Sequence, residues 1–291
     1  MNFLIILVLC LLAATKVLTQ SRAAKKYTKN LSDSALFIGT VFGTMGILAF
    51  AFSGGGEITS ALLIGAACFG FFNVSFQMLY QIALSCGPTS ITALIASLAS
   101  IIPLTVAAVV YKEPMSKLNI VGVVLIVIML VLNADIKKDS GVKKTAGIKW
   151  FLFTILAFFA NSFGILSQQV YAKATGSAST SVFIACASVF ASSIAFAVYF
   201  VLRLCGKRTS YSVTPASVLP GLAVGAVLVV FQILHTWAMS FIPGTILFPT
   251  YSGGASMSIA LGSRFIFGER LSRQQRISLV CGMIAIVLIN I

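Results

Sequence analysis

Three amide side chains recur at helical spacing in the first third of the chain. Asn73, Gln77 and Gln81 stand at i, i+4 and i+8, which puts them on one face of a helix. An amide group both donates and accepts hydrogen bonds, so a row of amides can hold a zwitterion or another polar solute without a fixed charge. The alternative is hydrogen bonding between helices, which is worth about 1 kcal/mol or less per bond inside a membrane bundle.

A second polar group lies 155 residues further along the chain. Gln232 corresponds to Gln77 at that offset, and His235, the single histidine, corresponds to Tyr80. Histidine gains and loses a proton near neutral pH, so His235 is a candidate proton acceptor for coupled solute movement. A neutral histidine also serves as a hydrogen-bonding core residue, and this alternative stays open. We expect the two glutamines to face one central space.

Two other apolar runs carry polar or backbone-disturbing residues. Asn161 lies near the middle of one run and is a candidate for a cavity wall, whereas Gln168 and Gln169 near its end are interpreted as interfacial. Residues 249–254 form the segment Pro-Thr-Tyr-Ser-Gly-Gly, whose proline removes a backbone hydrogen bond and whose glycines admit bending. We therefore expect a hinge or cavity wall there, with Tyr251 as a candidate contact to a solute.

Charged side chains are rare within the apolar runs. Lys16 is the one charge inside the first run, where it either extends to the lipid head groups or attracts an anionic solute. The acids lie in predicted loops or at run ends, at Asp33, Glu57, Glu113, Asp135, Asp139 and Glu269. This distribution disfavours a cation antiporter built on a buried carboxylate, paired-acid catalysis and zinc ligation. The sequence also lacks a Gly-rich phosphate-binding loop, so no ATP-driven motor is expected. From these absences together we expect no enzyme activity, no metal and no cofactor.

The composition explains why so few charges are available. The chain has 291 residues, of which 59% are hydrophobic and only 9% charged. Soluble domains contain about 45–50% apolar and about 25% charged residues. A soluble fold of this size cannot cover that much apolar surface, because much of any folded surface faces the solvent. The solvent must be lipid, which excludes a soluble enzyme and a secreted disulfide scaffold.

The apolar segments are long enough to cross a bilayer, which takes about 20 residues. Glycine, proline and lysine separate them, and the pattern predicts ten transmembrane helices. The predicted spans are 2–20, 34–52, 58–84, 90–111, 118–133, 148–170, 180–204, 215–239, 244–267 and 275–291.

The basic residues predict an orientation for these spans. Of the 20 Lys and Arg residues, 16 lie in or beside the loops that follow odd-numbered spans, and 3 lie in or beside the loops that follow even-numbered spans. Because cytoplasmic loops are enriched in Lys and Arg, both termini are expected to face outward. The net charge of +14 then reflects this bias and attraction to anionic lipids, not nucleic-acid binding. We expect a multi-pass protein of the bacterial cytoplasmic membrane; a homodimer stays open.

The two halves of the chain repeat one motif. Lys112-Glu113-Pro114-Met115-Ser116 follows the fourth span, and Gly268-Glu269-Arg270-Leu271-Ser272 follows the ninth. The two glutamates are 156 residues apart, one residue more than the offset of Gln77 and Gln232. A nearly constant offset over half the chain indicates an internal repeat. Halves of five spans each must be inverted relative to one another.

On these residues the chain resembles the EamA-like ten-helix branch of the drug/metabolite transporter (DMT) superfamily. The resemblance implies an all-α integral membrane fold of two inverted five-helix repeats, at 1–134 and 148–291, joined by a basic linker at 135–147. It also implies a transporter, commonly an exporter, of small polar or amphipathic metabolites such as amino acids or drugs. A channel or a membrane protein that only binds small molecules is the alternative. Family members generally have cytoplasmic termini, in contrast to the charge-based orientation.

The orientation is testable by labelling a single cysteine. In a background without the native cysteines, Lys143→Cys is expected to resist a membrane-impermeant thiol reagent in intact cells, because the basic linker faces the cytoplasm. Permeabilised cells provide the control. Rapid labelling in intact cells would reverse the orientation.

Overall fold

The computed structural model is all-helical and describes residues 2–27, 31–86, 92, 95–133, 148–175, 179–206, 215–267 and 273–290. Within these residues the α-helices are α1 (Asn2–Tyr27), α2 (Leu31–Ala51), α3 (Ser60–Cys86), α4 (Ile101–Val109), α5 (Lys117–Asn133), α6 (Ile148–Thr175), α7 (Thr180–Leu204), α8 (Pro215–Phe241), α9 (Gly244–Phe267) and α10 (Arg273–Asn290). A 3-10 turn, Leu98–Ser100, precedes α4. The predicted linker and the motif around Glu269 lie outside the described residues.

The prediction of ten membrane-spanning helices is confirmed in part. Six helices of the described residues, α1, α2, α3, α6, α7 and α8, are long and apolar enough to cross a membrane. Two further apolar helices, Ile95–Val109 and Lys117–Leu132, are shorter. Large apolar side chains such as Ile47, Phe50 and Leu204 point outward, as a lipid environment requires.

The break after α2 comes from two glycines, as the sequence predicts. Gly54 and Gly55 have φ angles of +58° and +85°, in the left-handed region where glycine lacks the steric penalty of other residues. The helix ends at Ala51, and α3 begins at Ser60. The turn reverses the chain, so that α2 and α3 run in opposite directions.

The principal helix contacts join the first half of the chain to the second. Helix α2 packs against α7 and α8, α3 against α6 and α7, and α1 against α8 and α9; α4 contacts α9, and α5 packs along α10. Buried aromatic residues from both halves, including Phe37, Phe42, Phe183 and Phe248, share one core. The two halves are therefore interleaved.

Close contacts at glycines fix the relative directions of the helices. A Cβ atom built on Gly254 would lie 2.6 Å from the Cys10 sulfur, and one on Gly262 would lie 2.6 Å from Leu18 Cδ1. The contact residue moves forward along α1 as it moves forward along α9, so the two helices run parallel. Gly221 and Gly225 likewise contact Thr40 and Thr44, so α2 and α8 are parallel.

The opposite order appears between α3 and α6. Gly65 lies near Tyr171, whereas Gly164 lies near Phe72, so these two helices are antiparallel. We call the end of the bundle where α1, α3 and α9 terminate the first face. The end where α6 and α8 terminate and α9 begins is the second face.

The sequence Gly221-x-x-x-Gly225 allows α8 to approach α2 closely. A Cβ atom on Gly225 would lie 2.6 Å from the backbone oxygen of Val41, whereas one on Gly221 would meet only the rotatable side chain of Thr40 at that distance. A backbone oxygen can move only if the helices separate. This geometry fits the small-residue packing typical of membrane helices.

We expect Gly225→Ala to destabilise the protein by about 1–3 kcal/mol, the usual cost of overpacking. Gly221→Ala is the matched control and should cost less, because Thr40 can change rotamer. Thermal unfolding midpoints in detergent measure the difference. Equal midpoints for both variants would contradict the described approach of α8 to α2.

Candidate functional site

A buried polar cluster joins α6 and α8 inside the bundle. The Gln168 side-chain nitrogen donates to Gln232 Oε1 at 3.0 Å and lies 2.6 Å from the Thr236 hydroxyl oxygen. His235 Nδ1 lies 3.3 Å from Gln168 Oε1. Gln168 is 1% exposed, Gln232 7% and His235 3%, so water does not replace these bonds. The cluster contains amide, hydroxyl and imidazole groups.

The hydrogen bonds assign the proton on His235. The Thr236 hydroxyl donates to the Gln232 backbone oxygen at 2.8 Å, so it accepts from the Gln168 nitrogen. Gln168 Oε1 therefore faces His235 and accepts the Nδ1 proton. In this tautomer His235 Nε2 carries a lone pair. Within the described residues, that buried atom has no hydrogen-bond partner.

Aromatic rings surround the imidazole of His235. Phe231 stacks on it with a centroid distance of 5.2 Å and an interplanar angle of 17°, and the Tyr251 ring lies 5.1 Å away. Tyr251 lies on α9, and its backbone oxygen is 3.8 Å from the sulfur of Cys10 on α1. Three helices, α6, α8 and α9, thus contribute side chains to one site with an uncharged acceptor and apolar walls.

The amides of α3 form a separate group. Gln77 is buried and accepts a hydrogen bond of 3.3 Å from the side chain of Gln20 on α1. Asn73 and Gln81 are half-buried on the same face of α3 and bond to none of the other described residues. The structure therefore brings Gln232, His235 and Tyr251 together but keeps the α3 amides apart from them.

Asn161 has a different environment from the one the sequence predicts. Its side-chain nitrogen donates to the Ala96 backbone oxygen at 3.0 Å, and Ser162 donates to the Ala99 oxygen at 3.0 Å. Pro103 has no N–H with which to satisfy Ala99, so Ser162 supplies the missing donor. These bonds hold the proline-disturbed start of α4, and they account for Asn161 without a solute.

The interpretation of Gln168 and Gln169 as interfacial residues is wrong, since both are 1% exposed. The reason is helix length: α6 continues to Thr175, five residues beyond its predicted end. Helix α1 likewise continues to Tyr27 instead of ending at residue 20. Lys16 therefore lies about three turns inside α1, half-buried and near Gln20 on the helix surface.

Glu113 joins three elements at the second face. Its carboxylate forms an ion pair of 2.9 Å with Lys173 at the end of α6 and accepts a 3.1 Å hydrogen bond from the Thr245 N–H at the start of α9. A carboxylate there compensates the unpaired N–H groups of a helix start. The left-handed backbone at Lys112, with φ of +51°, turns Glu113 back toward the bundle. These contacts fit a structural role for the motif.

No metal centre is formed by the described part of the chain, where no group of three or more His, Cys, Asp or Glu residues converges. The cluster around His235 instead has the composition of a site for an uncharged or zwitterionic solute.

The fold and this polar interior define a multi-spanning helical membrane protein. Residues 2–135 match the sequence model of the EamA-like transporter family. The resemblance to the EamA-like branch of the DMT superfamily, inferred from the repeat motifs, is thereby confirmed over residues 2–135. This indicates a DMT-type transporter, and it is consistent with the expectation of no enzyme activity.

A solved crystal structure supports the fold over the whole chain. It superimposes with a TM-score of 0.76 at 16% sequence identity, and the alignment covers 100% of this chain and 98% of the other. No curated protein matches the sequence.

The Glu113 contacts are expected to stabilise the bundle. Glu113→Gln removes the charge that holds Lys173 and should cost about 1.5–3 kcal/mol, the range for hydrogen bonds to charged groups. Glu57→Gln, at an exposed position, is the matched control and should change the thermal midpoint little. Equal effects of the two substitutions would contradict the described role of Glu113.

Proposed function

We propose that the protein is a secondary transporter, in the export direction, of small polar or amphipathic metabolites such as amino acids or drugs. The observation that carries this proposal is the buried, uncharged cluster of Gln168, Gln232 and His235 in a chain whose first half is EamA-like. Polar groups at this depth are costly unless they serve a partner, a cavity or a solute.

The chemistry of the cluster favours a solute that donates a hydrogen bond. His235 Nε2 offers a buried acceptor, and the rings of Phe231 and Tyr251 offer apolar surface beside it. A solute with an ammonium, hydroxyl or amide N–H group and a short apolar part fits both features. Asn73 and Gln81, both on α3, are the remaining candidates for contacts.

The pattern of helix contacts supports two inverted repeats. Each of the helices α1–α5 has a counterpart in α6–α10, in the same order. If every helix is exchanged with its counterpart, the contacting pairs α2–α7, α4–α9 and α5–α10 map onto themselves. The same exchange relates α3–α6 to α1–α8, and α3–α7 to α2–α8. A two-fold relation in the membrane plane produces such a pattern, and transporters of this design hold the solute between the repeats.

Interleaving also constrains alternating access. Because α2, α3 and α5 pack on helices of the other half, residues 1–134 cannot rock as one body against 148–291 without breaking the core. We propose instead that the moving units combine helices from both halves. The bacterial cytoplasmic membrane, with anionic lipids around the basic loops, is the proposed location. A homodimer is compatible with this function.

Transport can be measured in proteoliposomes loaded with an equimolar mixture of the twenty amino acids, and separately with an amphipathic fluorescent dye. We expect saturable flux that is stimulated by substrate on the opposite side. His235→Phe keeps the ring but removes the acceptor, so it should raise the half-saturation concentration about tenfold, equivalent to one good hydrogen bond. Trp237→Phe, on the outer surface of the same helix, is the control.

Two results would reject this proposal. Ohmic single-channel currents that do not saturate would favour the channel alternative. Unchanged flux and affinity in a stable His235→Phe variant would remove His235 from the solute site.

A further inference from the structure

The two hydrogen-bonded glutamine pairs occupy equivalent positions in the two halves. Gln20 on α1 binds Gln77 on α3, and Gln168 on α6 binds Gln232 on α8. In each half the pair therefore joins the first helix to the third. Neither Gln20 nor Gln168 was a candidate site residue in the sequence, where Gln168 was interpreted as interfacial.

The correspondence extends to position along the helices. Gln20 and Gln168 each lie seven residues before the end of their helix. Gln77 and Gln232 each lie nine residues before the end of theirs and are equally exposed, at 7%. The two pairs thus share both spacings.

The pairs lie toward opposite ends of the bundle. Helices α1 and α3 end at the first face, whereas α6 and α8 end at the second face. Helices α3 and α8 have 27 residues each, about 40 Å. Nine residues correspond to about 14 Å, so the pairs are separated by about 13 Å along the bundle. The interval is longer than an amino acid, and Asn73 lies within it.

We propose that these amide pairs are the two closures of the transport passage, with Gln20–Gln77 closing it toward the first face and Gln168–Gln232 toward the second. The inference rests on the proposed transport function. Amides suit this task because a hydrogen bond between neutral groups is worth little net free energy and can break and re-form. Both pairs are formed here, so this conformation is closed toward both faces.

The two closures differ in strength. Gln20–Gln77 is a single bond of 3.3 Å, whereas Gln168 also contacts Thr236 at 2.6 Å and His235 at 3.3 Å. The second closure is therefore expected to be the more stable one. It also shares His235 with the proposed solute site, because Nδ1 of the imidazole binds Gln168 and Nε2 is left for the solute.

The test measures access to a cysteine between the two pairs and needs no substrate. The probe is a membrane-impermeant maleimide applied from one side of sided vesicles, with Asn73→Cys as the only cysteine. We expect Gln20→Ala to raise the labelling rate from the first face by about two- to tenfold, and Gln168→Ala to do so from the second face by more. Gln77→Ala and Gln232→Ala break the same bonds and should repeat each sided effect.

Thr15→Ala, at an exposed position of α1 that bonds only within its own helix, and Gln169→Ala, whose side chain bonds to none of the other described residues, are the matched controls. Both controls should leave labelling unchanged. Unchanged labelling in either pair, or an equal increase from both faces, would overturn the proposed closures. Because the readout is access and not flux, it separates this inference from transport: sided labelling without flux refutes transport alone, and flux without sided labelling refutes the closures alone.

Discussion

The constraint on which the structure depends is that lipid offers no hydrogen bonds. Each polar group at membrane depth must be satisfied inside the protein or exposed to an internal cavity. The two glutamine pairs, the imidazole of His235 and the hydroxyl of Ser162 follow this requirement, because each finds a partner on another helical element. Large apolar side chains cover the outside. The polar groups consequently determine which helix faces meet.

The same constraint links packing to function. Small residues bring α8 against α2 and α9 against α1, so that short polar side chains on neighbouring helices can reach each other. Glu113 holds the ends of α4, α6 and α9 at one level. Close helix packing and the Glu113 contacts therefore surround uncharged groups whose hydrogen bonds are weak enough to break and re-form. A transporter requires this combination, since tight polar bonds would prevent the change between conformations.

Much of the helix order could be predicted from the apolar runs and their breaks. The turn at Gly54 and Gly55 and the start of α9 at Gly244 agree with the sequence, because glycine and proline act locally. Helix ends were less predictable. Polar residues such as Gln20 and Gln168 mark the edge of an apolar run, yet the helices continue past them. Hydrogen bonds to distant residues, which the local sequence does not reveal, permit that extension.

The candidate site was predictable only as far as residue type allowed. Gln77, Gln232 and His235 stood out because they are polar within apolar runs, and because Gln77 and Gln232 occupy equivalent positions of the repeat. The structure buries all three. Asn161 stood out equally, but its partner is the backbone carbonyl of Ala96, three residues before the one freed by Pro103. Sequence alone cannot distinguish a polar group held by the backbone from one that faces another side chain.

The inward orientation of the polar side chains is tested most directly by cross-linking. In a cysteine-free background, Gln168→Cys with Gln232→Cys is expected to be bridged by a short bifunctional thiol reagent, because these side chains meet between α6 and α8. Gln168→Cys with Val230→Cys, whose position on α8 faces outward, should not be bridged. Bridging of the second pair and not the first would show that the amides face lipid, and the polar interior described here would be contradicted.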